Sequence, residues 1–313
     1  MVTTTLLNNS ESRPEIRIAF QGEPGAYSEQ AARQFFPTAD LHVHPCATFE
    51  SMFQALTKGL VDRAAVPIEN SLAGTIHENL DLLLQHPSVT IVGEQDVCVR
   101  HCLLANPGVR LQDVRSVRSH FMALAQCKAY LHEQGLHPEV SYDTAGAARL
   151  LKKERCMDAA AIASKRAAQI YSLNILAEEI QDEPRNYTRF LIVARESVPY
   201  APTLPSKTSI AFCLGSSPGL LCQALAVFRV TNIDLTKIES RHIQTVKNSL
   251  DIAARESQDS HSDTRWGYVF YVDIARHSEE KDVAVALNHL QEVTSFFRIL
   301  GSYQAYVPDD ETN

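Results

Sequence analysis

The chain has 313 residues, enough for two domains or three at about 100–200 residues each. Hydrophobic residues make up 45% and charged residues 21%, which excludes a disordered chain, and no apolar run approaches the roughly 18–20 residues of a membrane span. The formal net charge of −8 argues against nucleic acid or an anionic membrane as the main partner, since either needs a basic face.

In chain order, residues 16–20 alternate apolar and polar. A Gly/Pro turn (Gly22, Pro24, Gly25) then leads to Ser28 and the helical EQAARQFF. Residues 63–67 read as a strand followed by the polar loop ENSLAG. Thr75 to Glu78 is a capping-box pattern, and Ile76, Leu80, Leu83 and Leu84 form one apolar helical stripe that Pro87 ends. Residues 89–105 are β-rich. Strands at 114–117, 140–142 and 159–162 then precede helices near 120–131, 145–153 and 165–170, and a strand at 187–194 closes the series. This alternation predicts an α/β architecture of two lobes joined by extended crossings, with a cleft between them. Residues 198–206, VPYAPTLPS, read as a linker. Beyond it the order is strand 208–214, helix 220–230, strands 233–241 and 267–274, helix 280–290 and strand 294–303. That is the ferredoxin-like βαββαβ arrangement, with a polar loop at 242–265.

The seven cysteines (46, 98, 102, 127, 156, 213 and 222) read as buried free thiols rather than a disulfide framework. Cys98, His101 and Cys102 lie close together, but no second ligand pair has fitting spacing, so strand residues are the simpler reading and no metal is expected. The N-terminus, MVTTTLLNNSESR, lacks the basic and apolar regions of a secretory signal.

Ser28, Thr75, Ser119, Thr144 and Ser164 each sit where a strand or turn meets a helix. Each is first a helix N-cap, worth about 1 kcal/mol. Helix N-termini after strands are also where α/β clefts bind anions, which suits a small carboxylate. Two strings carry more information. Glu69-Asn70-Ser71 directly follows a strand. Asn186 to Phe190, NYTRF, enters the last strand of the large domain, with Thr188 and Arg189 on alternate sides.

In this order GEPGAYSEQAA (22–32), PIENSLAGTIHENLDLL (67–83), SHFMALAQC (119–127), DTAGAA (143–148) and NYTRF (186–190) resemble the prephenate dehydratase family. SPGLLCQAL (217–225) and KIESR (237–241) resemble that family's ACT regulatory domain, and GAY with the ending LGSY resembles the plant-type branch that includes arogenate dehydratases. The resemblance implies a periplasmic-binding-protein-like, two-lobed catalytic domain over 14–197 and an ACT domain over 207–305. It implies conversion of prephenate to phenylpyruvate with loss of CO2 and water, with arogenate to phenylalanine as a second reaction, and no cofactor.

By the same resemblance Thr188 is the favoured catalytic residue. Glu69, Asn70, Ser119 and Gln126 line the reacting ring. Ser71 and Thr144 contact substrate together with the NYTRF residues Asn186, Arg189 and Phe190, and Arg189 is suited to pairing with a carboxylate. Ser119 and Gln126, seven apart, are expected on one face of one helix. Gly219, Leu220, Glu239, Ser240 and Arg241 are implied to hold phenylalanine as a negative effector where two copies pair in a homodimer or homotetramer.

Two departures stand out. Phe121-Met122 replace the family's Pro-Gln after Ser119-His120, and His242 replaces Pro after Arg241. The expected location is cytoplasmic, or the plastid stroma in a plant or alga. The rival readings are an arogenate-preferring dehydratase and a non-catalytic amino-acid sensor or ligand-binding module of the same architecture.

Overall fold

A computed structural model describes residues 14–242 and 267–308. The first lobe is built on a mixed sheet. Its strands are β1 (Glu15–Gln21), β2 (Asp40–Cys46), β3 (Arg63–Asn70), the short β4 (Gly74–Thr75), β5 (Thr90–Cys98) and β11 (Tyr187–Ala194), in the order β2-β1-β3-β11-β5, with β4 paired to β3. Helices α1 (Tyr27–Phe35), α2 (Phe49–Thr57) and α3 (His77–Gln85) cover it. The second lobe has the sheet order β10-β6-β9-β7-β8, from β6 (Cys102–Ala105), β7 (Ser116–His120), β8 (His137–Ser141), β9 (Ala159–Ala163) and β10 (Asn174–Ala177). Its helices are α4 (Phe121–Gln126), α5 (Lys128–Glu133), α6 (Thr144–Glu154) and α7 (Lys165–Tyr171). Two crossings join the lobes, from β5 to β6 and from β10 back to β11, and they are tied together where the Val99 N–H donates to the Asn186 carbonyl at 2.7 Å.

β9 shows why the second lobe packs as it does. All five of its residues are buried, and four are alanine. Ala159, Ala161 and Ala163 face Ala145, Ala147 and Ala148 of α6, so the helix approaches closely, while Ala160 and Ile162 face Leu124 and Leu131 under α4 and α5. A strand buried on both faces loses the polar alternation of an edge strand.

The C-terminal domain is a four-stranded antiparallel sheet, β13-β14-β12-β15, from β12 (Ser206–Cys213), β13 (Leu235–His242), β14 (Tyr268–Ile274) and β15 (Phe296–Gln304). Helices α8 (Leu220–Val230) and α9 (Lys281–Val293) pack on one face against Ile210, Phe212, Val272 and Ile274. The other face is docked on the first lobe: Ala211, Cys213, Tyr271 and Leu300 share one core with Ile68, Leu80, Ile91 and Leu191. Two contacts make this docking close. A side chain on Gly301 would sit 2.3 Å from the Ile91 carbonyl oxygen, and Arg298 donates to the carbonyls of Leu84 (3.1 Å) and His86 (3.3 Å) at the end of α3. The expected polar loop at 242–265 lies, from residue 243 on, outside the described residues.

Several local expectations need correction. Of the five hydroxyls at helix starts, only Ser164 caps its helix, accepting from the Ala167 N–H at 3.1 Å. Asp143 caps α6 in place of Thr144, and His120 caps α4 in place of Ser119. Ala26 and Ile76 occupy the cap positions of α1 and α3 without a side-chain cap, and Thr75 bonds Glu239 instead. β2 and α2 are absent from the sequence reading. β2 is a half-exposed edge strand with two histidines and a proline, and the capping box of α2 uses Thr48 with Ser51 rather than an acidic partner. All seven thiols are free, but only Cys46, Cys102, Cys127 and Cys213 are buried; Cys222 is exposed.

The lobes also meet through the turn 22–29. The Ser164 hydroxyl donates to the Gly25 carbonyl at 2.6 Å, and Tyr171 donates to the Pro24 carbonyl at 2.8 Å. A side chain on Gly25 would fall 2.8 Å from the backbone of Ala167, so the approach requires glycine. Glu29, 1% exposed, accepts from Arg33 at 2.8 Å, Arg166 of the other lobe at 2.8 Å and the Gly25 N–H at 2.7 Å. Burial alone would raise its pKa, but these donors outweigh burial and hold it below the usual 4.5. Glu29→Gln is therefore expected to lower stability at pH 7 by about 1.5–3 kcal/mol, the scale of hydrogen bonds to a charged group. Because the folded pKa is depressed, the wild-type advantage exists above the unfolded value and fades as pH falls through the folded one. Urea melts of both proteins between pH 7 and pH 3 should converge at the acid end; a constant gap would contradict the assignment.

Candidate active site

β3 and β11 run antiparallel in the middle of the first sheet and carry most of the candidate residues. Along their regular stretch the faces alternate: Leu191 and Val193 with Ala64 and Val66 face α3 and the C-terminal domain, while Ile192 and Ala194 with Ala65 face the second lobe. The register then slips by one. Phe190 pairs with Pro67, but Arg189 pairs with Glu69 and Thr188 with Asn70, so Ile68 is the extra residue of a β-bulge. One inserted residue inverts the facing of everything beyond it. Pro67, with no N–H to pair, is tolerated at such a site. The sequence reading ended this strand at Pro67, whereas the bulge carries it on to Asn70.

Beyond the bulge Asn70 joins the face of Thr188. Its amide nitrogen donates to Asn186 Oδ1 at 2.7 Å, Thr188 Oγ1 at 3.0 Å and the Tyr187 carbonyl at 3.0 Å. Its carbonyl oxygen accepts from the N–H groups of Leu72 (3.0 Å) and Ala73 (2.9 Å), a local turn that fixes the side chain. Ser71 staples the same loop to the crossing, accepting from the Tyr187 N–H at 3.0 Å and donating to the Arg185 carbonyl at 3.3 Å. Asn186 is fully buried, with an amide nitrogen that has no partner among the described residues. Thr188 is 9% exposed; its oxygen accepts from Asn70, and its own proton has no acceptor among the described residues.

Glu69 and Arg189 lie on the opposite face, away from this cluster. Arg189 pairs with Glu69 at 2.6 Å, Glu94 at 3.5 Å and Asp273 of the C-terminal domain at 3.2 Å. Lys207 pairs with Glu94 at 2.7 Å, and Lys237 pairs with Glu69. Burial opposes the Arg189 charge, but Asp273 and Glu69 outweigh it and raise its pKa; burial raises that of Asp273 despite Arg189. The expected pairing of Arg189 with a substrate carboxylate, and of Glu69 with the reacting ring, is not the arrangement seen. Both serve the contact between the domains.

In the second lobe the helical spacing argument fails. Ser119 is in β7, fully buried, and donates to the Ile162 carbonyl at 2.7 Å; α4 begins only at Phe121. Gln126 ends α4, and its Oε1 lies 3.0 Å from His101 Nε2. Thr144 is half-buried at the first position of α6, where Asp143 accepts from the N–H groups of Gly146 (3.0 Å) and Glu23 (3.1 Å). Phe190 packs beneath Thr188 against Ala31, Val97 and Tyr27. Tyr27, Glu94 and Lys237 were not singled out as site residues in the sequence. Tyr27 lies within the GAYSEQ string, its one available signal.

The candidate effector residues divide between two faces of the C-terminal sheet. Gly219, at a φ of +84°, precedes Leu220 at the start of α8 on the helix side. Glu239 pairs with His77 at 3.0 Å and accepts from Thr75 at 2.8 Å, and Arg241 holds Asp81 at 2.7 Å, all toward the first lobe. Ser240 is exposed on the helix side.

The family model described as prephenate dehydratase matches residues 18–198. The chain is 48% identical over 288 residues to arogenate dehydratase/prephenate dehydratase 2, chloroplastic, of Arabidopsis thaliana, covering 92% of this chain and 72% of that protein. Among solved structures it is similar to the prephenate dehydratase of Arthrobacter aurescens in complex with L-Phe (30% identity, TM-score 0.79, 92% of this chain and 90% of that one). It is also similar to GqqA, described as a novel type of quorum quenching acylase (34% identity, TM-score 0.78, 93% of this chain and 98% of that one).

Arg189→Met tests the placement of the two faces. Left without their guanidinium, the buried carboxylates should cost about 3–5 kcal/mol of stability, read from denaturant melts. A change within about 0.5 kcal/mol, as at an open surface, would contradict it.

Proposed function

The chain belongs to the prephenate dehydratase family and is a decarboxylating dehydratase of phenylalanine biosynthesis, and from that premise we propose that its reaction is run by the Asn70–Thr188 pair with Gln126 facing it from the second lobe. The ring carboxylate leaves as CO2, its bonding electrons complete the aromatic ring, and the ring hydroxyl departs and is taken off as water with a proton supplied from solvent. The protein's task is to stabilise charge on the departing oxygen.

The observation that carries the reading is the donation from Asn70 into Thr188 Oγ1 at 3.0 Å. A hydroxyl that accepts one hydrogen bond is a stronger donor in the next. Thr188 is a poor bulk acid, but with its oxygen occupied and its proton free it is suited to hydrogen-bond a developing oxyanion in a water-poor cleft. Ser71 and Asn186 support the pair by holding the loop and the crossing strand. Phe190 supports it from below, Ser119 acts through the Ile162 backbone it fixes, and Thr144 stands at the first position of α6 beside the capping Asp143. This chemistry concerns only the ring end of the substrate, which prephenate and arogenate share. We therefore infer that both are turned over, as the double name of the Arabidopsis relative supports; its chloroplastic name likewise supports a plastid location.

We infer phenylalanine as the negative effector, a reading supported by the ligand of the Arthrobacter structure. The outer edge of β13 has no strand partner among the described residues and exposes Ile238 (50%), which supports side-by-side pairing of two copies in a homodimer or homotetramer.

The test gives the purified protein prephenate and arogenate separately and quantifies phenylpyruvate and phenylalanine. Both products should form, and Thr188→Ala should lower kcat for both by about 10² with an unchanged melting temperature. Near-normal kcat in Thr188→Ala would remove Thr188 from this role.

A further inference from the structure

A half-buried hydrogen-bonded chain, with a buried histidine at its centre, crosses from one lobe to the other beside the site. The Tyr27 hydroxyl, on α1, lies 2.9 Å from His101 Nδ1 and 2.8 Å from the Arg100 carbonyl. His101, on the crossing between β5 and β6, is 2% exposed, and its Nε2 lies 3.0 Å from Gln126 Oε1. The carboxamide oxygen can only accept, so His101 Nε2 carries the proton. Burial lowers the His101 pKa and favours the neutral ring, which leaves Nδ1 an acceptor; the one Tyr27 proton is donated to the Arg100 carbonyl and shared with Nδ1. The direction of the bond next to the site follows: histidine Nε2 donates to the glutamine oxygen.

The backbone around Gln126 is held as firmly as its side chain. Its carbonyl accepts from the Asp182 N–H at 2.7 Å, and the Asp182 carboxylate accepts from the Ala129 N–H at 3.1 Å where α5 begins. The second crossing therefore grips the backbone of Gln126 while the first grips its carboxamide. The His101 backbone is clamped in turn, its N–H to Gln181 Oε1 at 2.9 Å and its carbonyl to the Ile180 N–H at 3.0 Å. With its oxygen taken, Gln126 is left with an amide nitrogen that has no partner among the described residues.

We propose that His101 is a positioning residue for the dehydration: by donating from Nε2 to the Gln126 oxygen it sets which end of the Gln126 carboxamide faces the cleft, presenting N–H rather than C=O to substrate. Without the histidine proton the carboxamide is free to turn over and offer an acceptor where the reaction needs a donor. The inference rests on the reading that Gln126 faces the substrate, and it adds the group that orients it. Because the chain starts on α1 and ends on α4, it also makes the carboxamide's aim depend on the lobes being held together.

The test is a double-mutant cycle in the full chain with prephenate as substrate. His101→Phe keeps a ring but removes both nitrogens. It should lower kcat between roughly 10-fold and 10²-fold, the cost of a misplaced group, with KM changed by less than about threefold. His101→Gln, which restores a donor toward Gln126, should recover kcat to within about threefold of wild type. The double variant His101→Phe/Gln126→Ala should be no slower than Gln126→Ala within about twofold, because one effect runs through the other. A slow Gln126→Ala with a His101→Phe of normal kcat would overturn the positioning role alone. Singles whose losses multiply in the double variant would overturn it as well. A Gln126→Ala of normal kcat would instead overturn the reading of Gln126, and the proposal with it. If His101→Phe does not fold, Tyr27→Phe takes its place in the same cycle, where a loss of kcat that Gln126→Ala abolishes supports the chain and a multiplicative one overturns it.

Discussion

One extra residue in β3 organises this molecule. Without the bulge at Ile68, strict alternation would carry Asn70 to the face of Ile68, beneath the C-terminal domain, and turn Glu69 toward the cleft. With it, two adjacent residues on β3 and two on β11 are sorted to opposite sides of one sheet. Asn70 and Thr188 face the cleft, and Glu69 and Arg189 face Lys237 and Asp273. The side that docks the C-terminal domain and the side that carries Asn70 and Thr188 are the two faces of the same strand pair.

That arrangement puts the C-terminal domain one strand pair away from the Asn70–Thr188 face. Its sheet contributes Lys207, Lys237 and Asp273 to an ion cluster centred on Arg189, surrounded by the apolar contacts of Tyr271 and Leu300 with Leu80 and Ile91. Charges taken out of water are costly to leave without their partners. Any shift of the domain must therefore be accommodated at residues whose sequence neighbours are Asn70 and Thr188. The second anchoring system, Glu29 with Arg33 and Arg166, binds the lobes to each other. The cleft is thus held from the domain side and from the lobe side by different charges.

Element types and their order were legible in the sequence because alternation, helical stripes and turn residues are local signals: the ferredoxin-like order and the two crossings follow from them. The ordered motifs also placed Asn70, Thr188 and Gln126 in one family pattern. What was not legible depended on register and on partners distant in sequence. Glu69 and Arg189 read as site residues because they flank Asn70 and Thr188, and a one-residue bulge is invisible to a period of two. Ser119 read as helical because it borders the expected helix at 120, whereas β7 runs through Ser119 and His120 and α4 starts at Phe121. Thr75 read as a cap because its true partner, Glu239, lies 164 residues away. His101 read as a lone histidine near the candidate segments, more simply structural than catalytic, since what marks it is contact with two residues from different lobes.

The most direct test of this two-faced arrangement is a crystal structure of the protein with an unreactive, ring-saturated analogue of prephenate. The arrangement requires the ring hydroxyl of the analogue within hydrogen-bond distance of Thr188 Oγ1, with Arg189 still paired to Glu69 and Asp273. A ligand carboxylate seated on the Arg189 guanidinium, with the interdomain cluster broken, would contradict it.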